Sequence, residues 1–259
     1  MWSKRLAEQE WNAADAAFTP GSGWKFLGDR FESWVGDFAG VKLELRLQKN
    51  GQVGLFPEHL HFLCSLAPVF EALGCSKSAA HILNLFAYAG LGSILAARCG
   101  ATVTHVDLSK TALHWCSQNI ALNGVDPKRI RVMAEDAIDF LARENRRKRS
   151  YDMLIVDPPS FSRVSKSQEW DLEDVIVQLV ADCTGVLNSQ NGVLVFSSHH
   201  QALNHVVISN LLTDAFSDRN ALVESRALLI PERAGRRSLP AGSIVLCRYG
   251  EFARISLAG

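Results

Sequence analysis

His81-Ile-Leu-Asn84-Leu-Phe86-Ala-Tyr88-Ala-Gly90-Leu-Gly92-Ser93, followed after a short helix-like segment by Val103-Thr-His-Val-Asp107-Leu108-Ser109, decides how the rest of this chain reads. Ile82, Leu83, Leu85 and Phe86 form a short apolar run with small or polar flanks, the pattern of a buried strand. Ala87 to Gly92 reads as a turn rich in small residues, and Ser93 to Cys99 takes up a helical pattern that Gly100 ends. Thr102 to Val106 is a second, β-branched strand with an acid, Asp107, at its tip. A strand, a glycine turn, a helix and an acid-tipped strand make a nucleoside-binding βαβ unit.

Glycine lets the backbone approach a ligand closely, and a carboxylate can accept hydrogen bonds from both hydroxyls of a ribose. Gly90 and Gly92 do not complete the six-residue dinucleotide fingerprint, and no third glycine is placed for a pyrophosphate. A ligand with a ribose and no phosphates therefore fits better than NAD, and S-adenosylmethionine (SAM) is the obvious candidate. The competing reading, that the glycines only permit a strand-to-helix turn, leaves Asp107 unexplained.

Composition sets the frame. At 259 residues and 28.5 kDa, with 47% hydrophobic and 21% charged residues, the chain can bury one sizeable core with room for a small appendage. A net charge of zero and a pI of about 7.1 exclude a global basic field, so a nucleic-acid partner has to be found by a local patch. The six cysteines at 64, 75, 99, 116, 183 and 247 show no CxxC pair and no zinc spacing. They read as reduced, buried thiols, and no metal is expected. No apolar run is long enough for a membrane span, and Met1 to Glu8 begins charged, without a hydrophobic signal core. The expected compartment is the cytoplasm.

Outward from the opening stretch, strands and helices alternate. Residues 1–75 form the expected N-terminal region. Trp2, Trp11, Phe18 and Trp24 mark an arm, with a short helix over Leu6 to Ala17. The aromatics serve either to pack that arm or to stack bases. Val41, Leu43, Leu45 and Leu47 alternate with charges, and Asn50-Gly51 is expected to turn this strand into a partner over Gln52 to Phe56. Pro57 opens a linking helix that runs to about Leu73. Residues 76–259 form the expected main domain. After Asp107 come a helix over Lys110 to Asn123, a strand over Ile130 to Ala134 and a helix from Ala137 to about Arg146. A strand over Asp152 to Val156 is next, then a long helix over about Gln168 to Leu187 and a strand over Gly192 to Phe196. A helix over about Gln201 to Phe216 precedes an antiparallel edge pair, Leu222 to Ile230 with Ser243 to Tyr249. The fold expected is α/β: a Rossmann-like, doubly wound, seven-stranded and mostly parallel sheet with an antiparallel last strand, plus a small β-rich N-terminal subdomain.

In such a sheet, ligands bind at the carboxyl ends of the strands. Gly90 and Gly92, Asp107, Asp136, Asp157-Pro158-Pro159 and Ser197-Ser198-His199-His200 each lie at one of these ends. Surface charges scattered at random would not align this way.

Asn84-Leu-Phe-Ala-Tyr-Ala-Gly90, Val106-Asp107-Leu-Ser109, Asn119 to Gly124, Glu135-Asp136-Ala137 and Asp157-Pro-Pro-Ser-Phe161-Ser162, in this order, resemble the class I SAM-dependent methyltransferases. Within that class they resemble the branch that contains the large-subunit ribosomal RNA methyltransferases. Gly54-Leu-Phe-Pro-Glu-His59 also resembles a segment that precedes the core in this branch, where a glutamine often stands at the position of His59. The resemblance implies that Asn84, Phe86, Tyr88, Gly90 and Gly92 serve the methionine end of SAM. It implies that Asp107 and Leu108 hold the ribose side, that Asp136 and Ala137 receive the adenine, and that Asp157, Pro158, Pro159 and Phe161 flank the methyl group and its acceptor. Asp136 serves equally well as a helix N-cap, Pro158-Pro159 also suits a strand end, and Phe161 also suits a core.

The segment after the fifth strand bears on the acceptor. Methylation of a pyrimidine at carbon 5 needs a cysteine thiolate that first adds to the ring. In the cytosine-methylating relatives that cysteine comes after the fifth strand, where this chain has Phe196-Ser-Ser-His-His200. The expected reaction is transfer to an exocyclic amine of an RNA base. A protein or small-molecule amine, and an inactive SAM-binding module, are the alternatives. The one dense basic run, Arg143 to Arg149, is either a solvated helix end or a phosphate patch, the latter joined by Arg233, Arg236 and Arg237.

Overall fold

The structure, a computed structural model, describes residues 14–74, 80–163, 169–232 and 237–256. The chain divides into two compact units, residues 1–55 and 56–259. Helix 57–74, which the sequence groups with the N-terminal region, thus clusters with the larger unit.

The smaller unit holds two hairpins. Strand β1 (Ala16–Thr19) pairs with β2 (Gly23–Phe26), and β3 (Ser33–Phe38) pairs with β4 (Val41–Arg46). The alternation in β4 is as the sequence predicts, with Val41, Leu43 and Leu45 buried. Its partner is different. The chain reverses at Ala39-Gly40, both in the left-handed region, so β4 pairs with the segment before it. Asn50-Gly51 does turn, and the Arg46 and Gln48 N–H groups donate to the Val53 and Gln52 carbonyls of that return, but no strand forms over 52–56. Ala16 and Ala17 belong to β1 and not to a helix; residues 1–13, with Trp2 and Trp11, lie outside the described residues. Phe18 and Trp24 pack on each other at 5.2 Å, and the Trp24 indole donates to the Gln48 carbonyl at 2.7 Å, which is the packing reading for these two.

The larger unit opens with α1 (Pro57–Ser65) and α2 (Ala67–Gly74). They form two helices because Pro68 has no N–H to continue the ladder. The sheet comes next: β5 (His81–Leu85), α3 (Leu91–Arg98), β6 (Thr102–Asp107), α4 (Lys110–Leu122), β7 (Ile130–Ala134), α5 (Ala137–Arg146) and β8 (Met153–Val156). A short hairpin of β9 (Phe161–Arg163) and β10 (Glu169–Asp171) precedes α6 (Leu172–Val186), and the Asp171 side chain caps that helix on the Glu173 amide. The helix therefore starts four residues later than its apolar periodicity suggests. Beyond it lie β11 (Gly192–Ser198), α7 (His205–Ala215) capped by Asn204, β12 (Leu222–Pro231) and β13 (Ser238–Tyr249).

The seven strands lie in the order β12-β13-β11-β8-β5-β6-β7. All neighbours are parallel except β13, which runs against both β11 and β12. This is the expected doubly wound sheet with an antiparallel last strand. β8 and β11 are buried along their whole length, as strands covered on both faces must be. The order reverses between β5 and β8, so the carboxyl ends of these two strands form the crevice where ligands bind in such sheets. Among the described residues no helix is long and apolar enough to cross a membrane.

Candidate active site

The loop after β5 is the most strained backbone in the crevice. Phe86 (φ 55°) and Tyr88 (φ 49°) are left-handed without being glycine, and Gly90 (φ 98°) caps α3 from the same region. For Phe86 and Tyr88 such conformations cost about 1–3 kcal/mol each and persist only where the surroundings hold them. Here the surroundings do so. Ala87 N–H donates to the Val106 carbonyl at 3.1 Å, the Asn119 amide of α4 donates to the Ala89 carbonyl at 2.9 Å, and Tyr88 N–H donates to Asp107 Oδ2 at 2.9 Å. Beneath the loop, buried Asn84 donates to Ser93 Oγ at 2.9 Å, and Ser93 bridges to His105 Nδ1 at 2.9 Å. Burial holds the His105 imidazole down at a pKa of about 4, against an opposing effect from the Tyr88 backbone. Asn84 is thus committed inward, as a prop of the loop.

Asp107 ends β6 half-buried. Oδ1 accepts from Ser109 N–H at 2.8 Å and Oδ2 from Tyr88 N–H. Burial raises its pKa, and the Ser109 and Tyr88 amides pull the other way. Each oxygen keeps a lone pair for a further donor, so the group can hold a vicinal diol. Leu108 beside it is 53% exposed, an apolar plate at the strand tip. Asp136 caps α5, with Oδ1 accepting from Ile138 and Asp139 amides, while Oδ2 has no partner among the described residues. The capping reading is therefore real, and one oxygen is left for a ligand. Ala137 next to it is buried. A backbone that permits close approach, a diol acceptor, an apolar plate and no phosphate cradle suit an adenosine without phosphates.

The other half of the crevice forms around Asp157, at the end of β8. Ser197, in β11, donates to Asp157 Oδ1 at 2.5 Å. His59 of α1 brings Nδ1 to 3.5 Å from Oδ2, and His199 brings Nε2 to 3.7 Å from Oδ1. Pro158 is buried and Pro159 exposed; the Pro159 carbonyl accepts from the Trp170 indole at 2.9 Å. Phe161 is 57% exposed, which answers the core reading. Gly242, at φ 141°, makes room for His199: a Cβ there would lie 2.9 Å from His199 Nδ1. Sequence reasoning missed Ser197 as the Asp157 partner and gave His59 no role. Neither the 40 residues between Ser197 and Asp157 nor the lone histidine before the core carries a local pattern.

The described cysteines are poor nucleophiles. Burial raises the thiol pKa of Cys64, Cys99 and Cys183, and pushes Cys116 and Cys247 up to about 12; Cys75 lies outside the described residues. The basic run lies elsewhere. Helix α5 starts at the carboxyl end of β7 and runs back along the sheet, so residues 146–149 emerge toward the amino end of β8, away from the crevice, while the Arg143 side chain reaches back to Glu135 just after β7. Arg143 pairs with Glu135 and stacks on Phe140, and Arg147 pairs with Glu144. Arg237 pairs with Glu232; Arg233 and Arg236 lie outside the described residues.

Comparison with known proteins agrees with this geometry. A profile of the S-adenosylmethionine-dependent methyltransferases matches residues 9–189. The SAM-dependent methyltransferase from Agrobacterium tumefaciens is 31% identical, with 94% of this chain and 79% of that one covered, at a TM-score of 0.81. SMU.776, solved as a complex with SAH, is 20% identical over 87% of this chain and 58% of its own, at 0.72. TYW2 of M. jannaschii, solved in complex with AdoMet, is 14% identical over 87% of this chain and 89% of its own, at 0.53. The last two share the fold. The chain belongs to the SAM-dependent methyltransferase family, an enzyme whose methyl donor is SAM.

Proposed function

We propose that this methyltransferase modifies an exocyclic amine of a base in RNA, with ribosomal RNA as the substrate class. The observation that carries the reading is the Asp157 carboxylate at the β8 tip, fixed by Ser197, with the exposed ring of Phe161 four residues on and the thiol of every described cysteine held protonated by burial. SAM supplies an electrophilic methyl on a cationic sulfur. Asp107 and Leu108 would hold its ribose, Asp136 and Ala137 its adenine, and the Phe86–Gly92 loop its methionine end. Asp157 accepts hydrogen bonds from the amine N–H groups and so turns the nitrogen lone pair toward the methyl carbon. Phe161 stacks on the base. For an in-line displacement of this kind positioning outweighs acid–base work.

The test is transfer of labelled methyl from SAM to ribosomal RNA. Asp157→Asn retains the shape but donates where the carboxylate accepted, and should slow transfer on the order of 100-fold while leaving SAM affinity unchanged. Equal rates for Asp157→Asn and the unaltered enzyme would remove Asp157 from the reaction. Labelling of a protein or a metabolite with RNA unlabelled would replace the acceptor.

A further inference from the structure

We infer that His59, Asp157 and His199 form a binding site for one divalent transition-metal ion of the Zn2+ type. The three side chains offer ligand atoms that all lie within 4.8 Å of one another. Their separations are informative. The contacts from His59 Nδ1 (3.5 Å) and His199 Nε2 (3.7 Å) to Asp157 are longer than the 2.7–3.2 Å typical of N–H···O hydrogen bonds. Two ligands bound at about 2.0–2.1 Å to a tetrahedral ion sit about 3.4 Å apart, close to both distances.

The hydrogen-bonding pattern agrees. His199 Nδ1 lies 2.7 Å from the Ala241 carbonyl and so must donate to it. In the neutral ring Nε2 is then a lone pair, and it faces a carboxylate oxygen. Fixing the far ring nitrogen on a backbone carbonyl is how proteins orient a metal-binding histidine. Gly242, where a Cβ would crowd His199 Nδ1, preserves that orientation. The His59 side chain is 13% exposed, and it turns Nδ1 toward Asp157 Oδ2.

The electrostatics call for a cation. Asp157 and the buried Glu58, whose Oε1 is 3.9 Å from His199 Nδ1, pair with no Lys or Arg among the described residues. Two imidazoles and one carboxylate suit Zn2+, Co2+ or Fe2+ rather than Mg2+ or Ca2+. With three protein ligands the fourth position stays open. The ion would occupy the Asp157 oxygens that the amine needs. Zn2+ is therefore an inhibitor of methyl transfer, a consequence that rests on the function proposed above, whereas metal binding does not.

Co2+ titrated into metal-free enzyme should give the visible bands of a four-coordinate ion, saturating at one equivalent and bleached by one equivalent of Zn2+. His59→Gln and His199→Gln should each weaken binding on the order of 100-fold, while His114→Gln, on an exposed face of α4, leaves it unchanged. Should His59→Gln fail to fold, His199→Gln carries the test alone, because its side chain lies in the loop after β11 and is 31% exposed. Absence of saturable Co2+ binding, or equal affinity in His199→Gln, would overturn the site. Binding with undiminished methyl transfer would uphold the site and refute the role of Asp157 toward the amine.

Discussion

Replacing Gly90 by alanine tests whether the loop after β5 has the conformation that the site requires. At φ 98° an L-residue sits in a disfavoured region, at about 1–2 kcal/mol. The new Cβ would also lie 2.6 Å from Cys116 Sγ and 3.5 Å from its Cβ, on a helix that has no slack because Asn119 ties it to the loop. Overpacking of this kind costs about 1–3 kcal/mol. Gly90→Ala should therefore destabilise the enzyme by roughly 2–5 kcal/mol, a large part of the stability of about 5–15 kcal/mol usual for a domain. The two causes can be separated. In a Cys116→Ala background the steric contact is gone, and Gly90→Ala should cost only the backbone share, about 1–2 kcal/mol. Urea unfolding of the four proteins in this cycle gives a coupling of about 1–3 kcal/mol if the reasoning holds. Costs that add to within about 0.5 kcal/mol would show that Cys116 does not confine the turn.

The same geometry sets other outcomes. Asp107→Ala should weaken SAM binding by about 3 kcal/mol, roughly 100-fold by calorimetry, through loss of charged hydrogen bonds to two hydroxyls. Because burial raises the Asp107 pKa, SAM affinity should decline on acidification at a higher pH than an ordinary carboxylate would give, and Asp107→Asn should flatten that decline. His105, held near 4 against 6.5 for a free imidazole, takes up its proton more readily when unfolded, so stability falls as pH drops from about 6.5 to 4. At about 1.4 kcal/mol per pH unit the loss is on the order of 3 kcal/mol, measurable in urea melts at pH 7 and 4.5 and reduced in His105→Gln. Phe161→Ala should change stability by less than about 0.5 kcal/mol yet raise KM for RNA several-fold, since the ring is exposed. Arg146, Lys148 and Arg149, changed together to alanine, should leave transfer rates unaltered, because they lie toward the amino end of β8, away from the crevice at the carboxyl ends.

The parts of the fold legible in the sequence are those whose pattern is local. β5, β6, β7 and β11 announce themselves by apolar or β-branched runs, and α5 begins where Asp136 caps it. The β3–β4 hairpin escapes a sequence reading because Asn50-Gly51 is a good turn in its own right. Pairing is decided by which neighbouring strand offers the matching face, and Trp34 and Val35 give no clean alternation. α6 starts only after Asp171 because residues 169–171 are taken by pairing with β9, a tertiary contact that helical periodicity cannot express. For the site, residues at strand tips are predictable, since the sheet brings all its carboxyl ends to one side. Ser197 and His199, at the end of β11, and His59, on α1, reach Asp157 from two separate parts of the chain, and only the folded chain places them together.

The most direct test of the central claim is mass spectrometry of nucleosides from ribosomal RNA of cells with and without this enzyme. An N-methylated base that disappears with the enzyme, and returns with the unaltered protein but not with Asp157→Asn, is the predicted result. Loss of 5-methylcytosine or 5-methyluridine instead would contradict it, since that chemistry requires a thiolate, and burial raises the thiol pKa of every described cysteine.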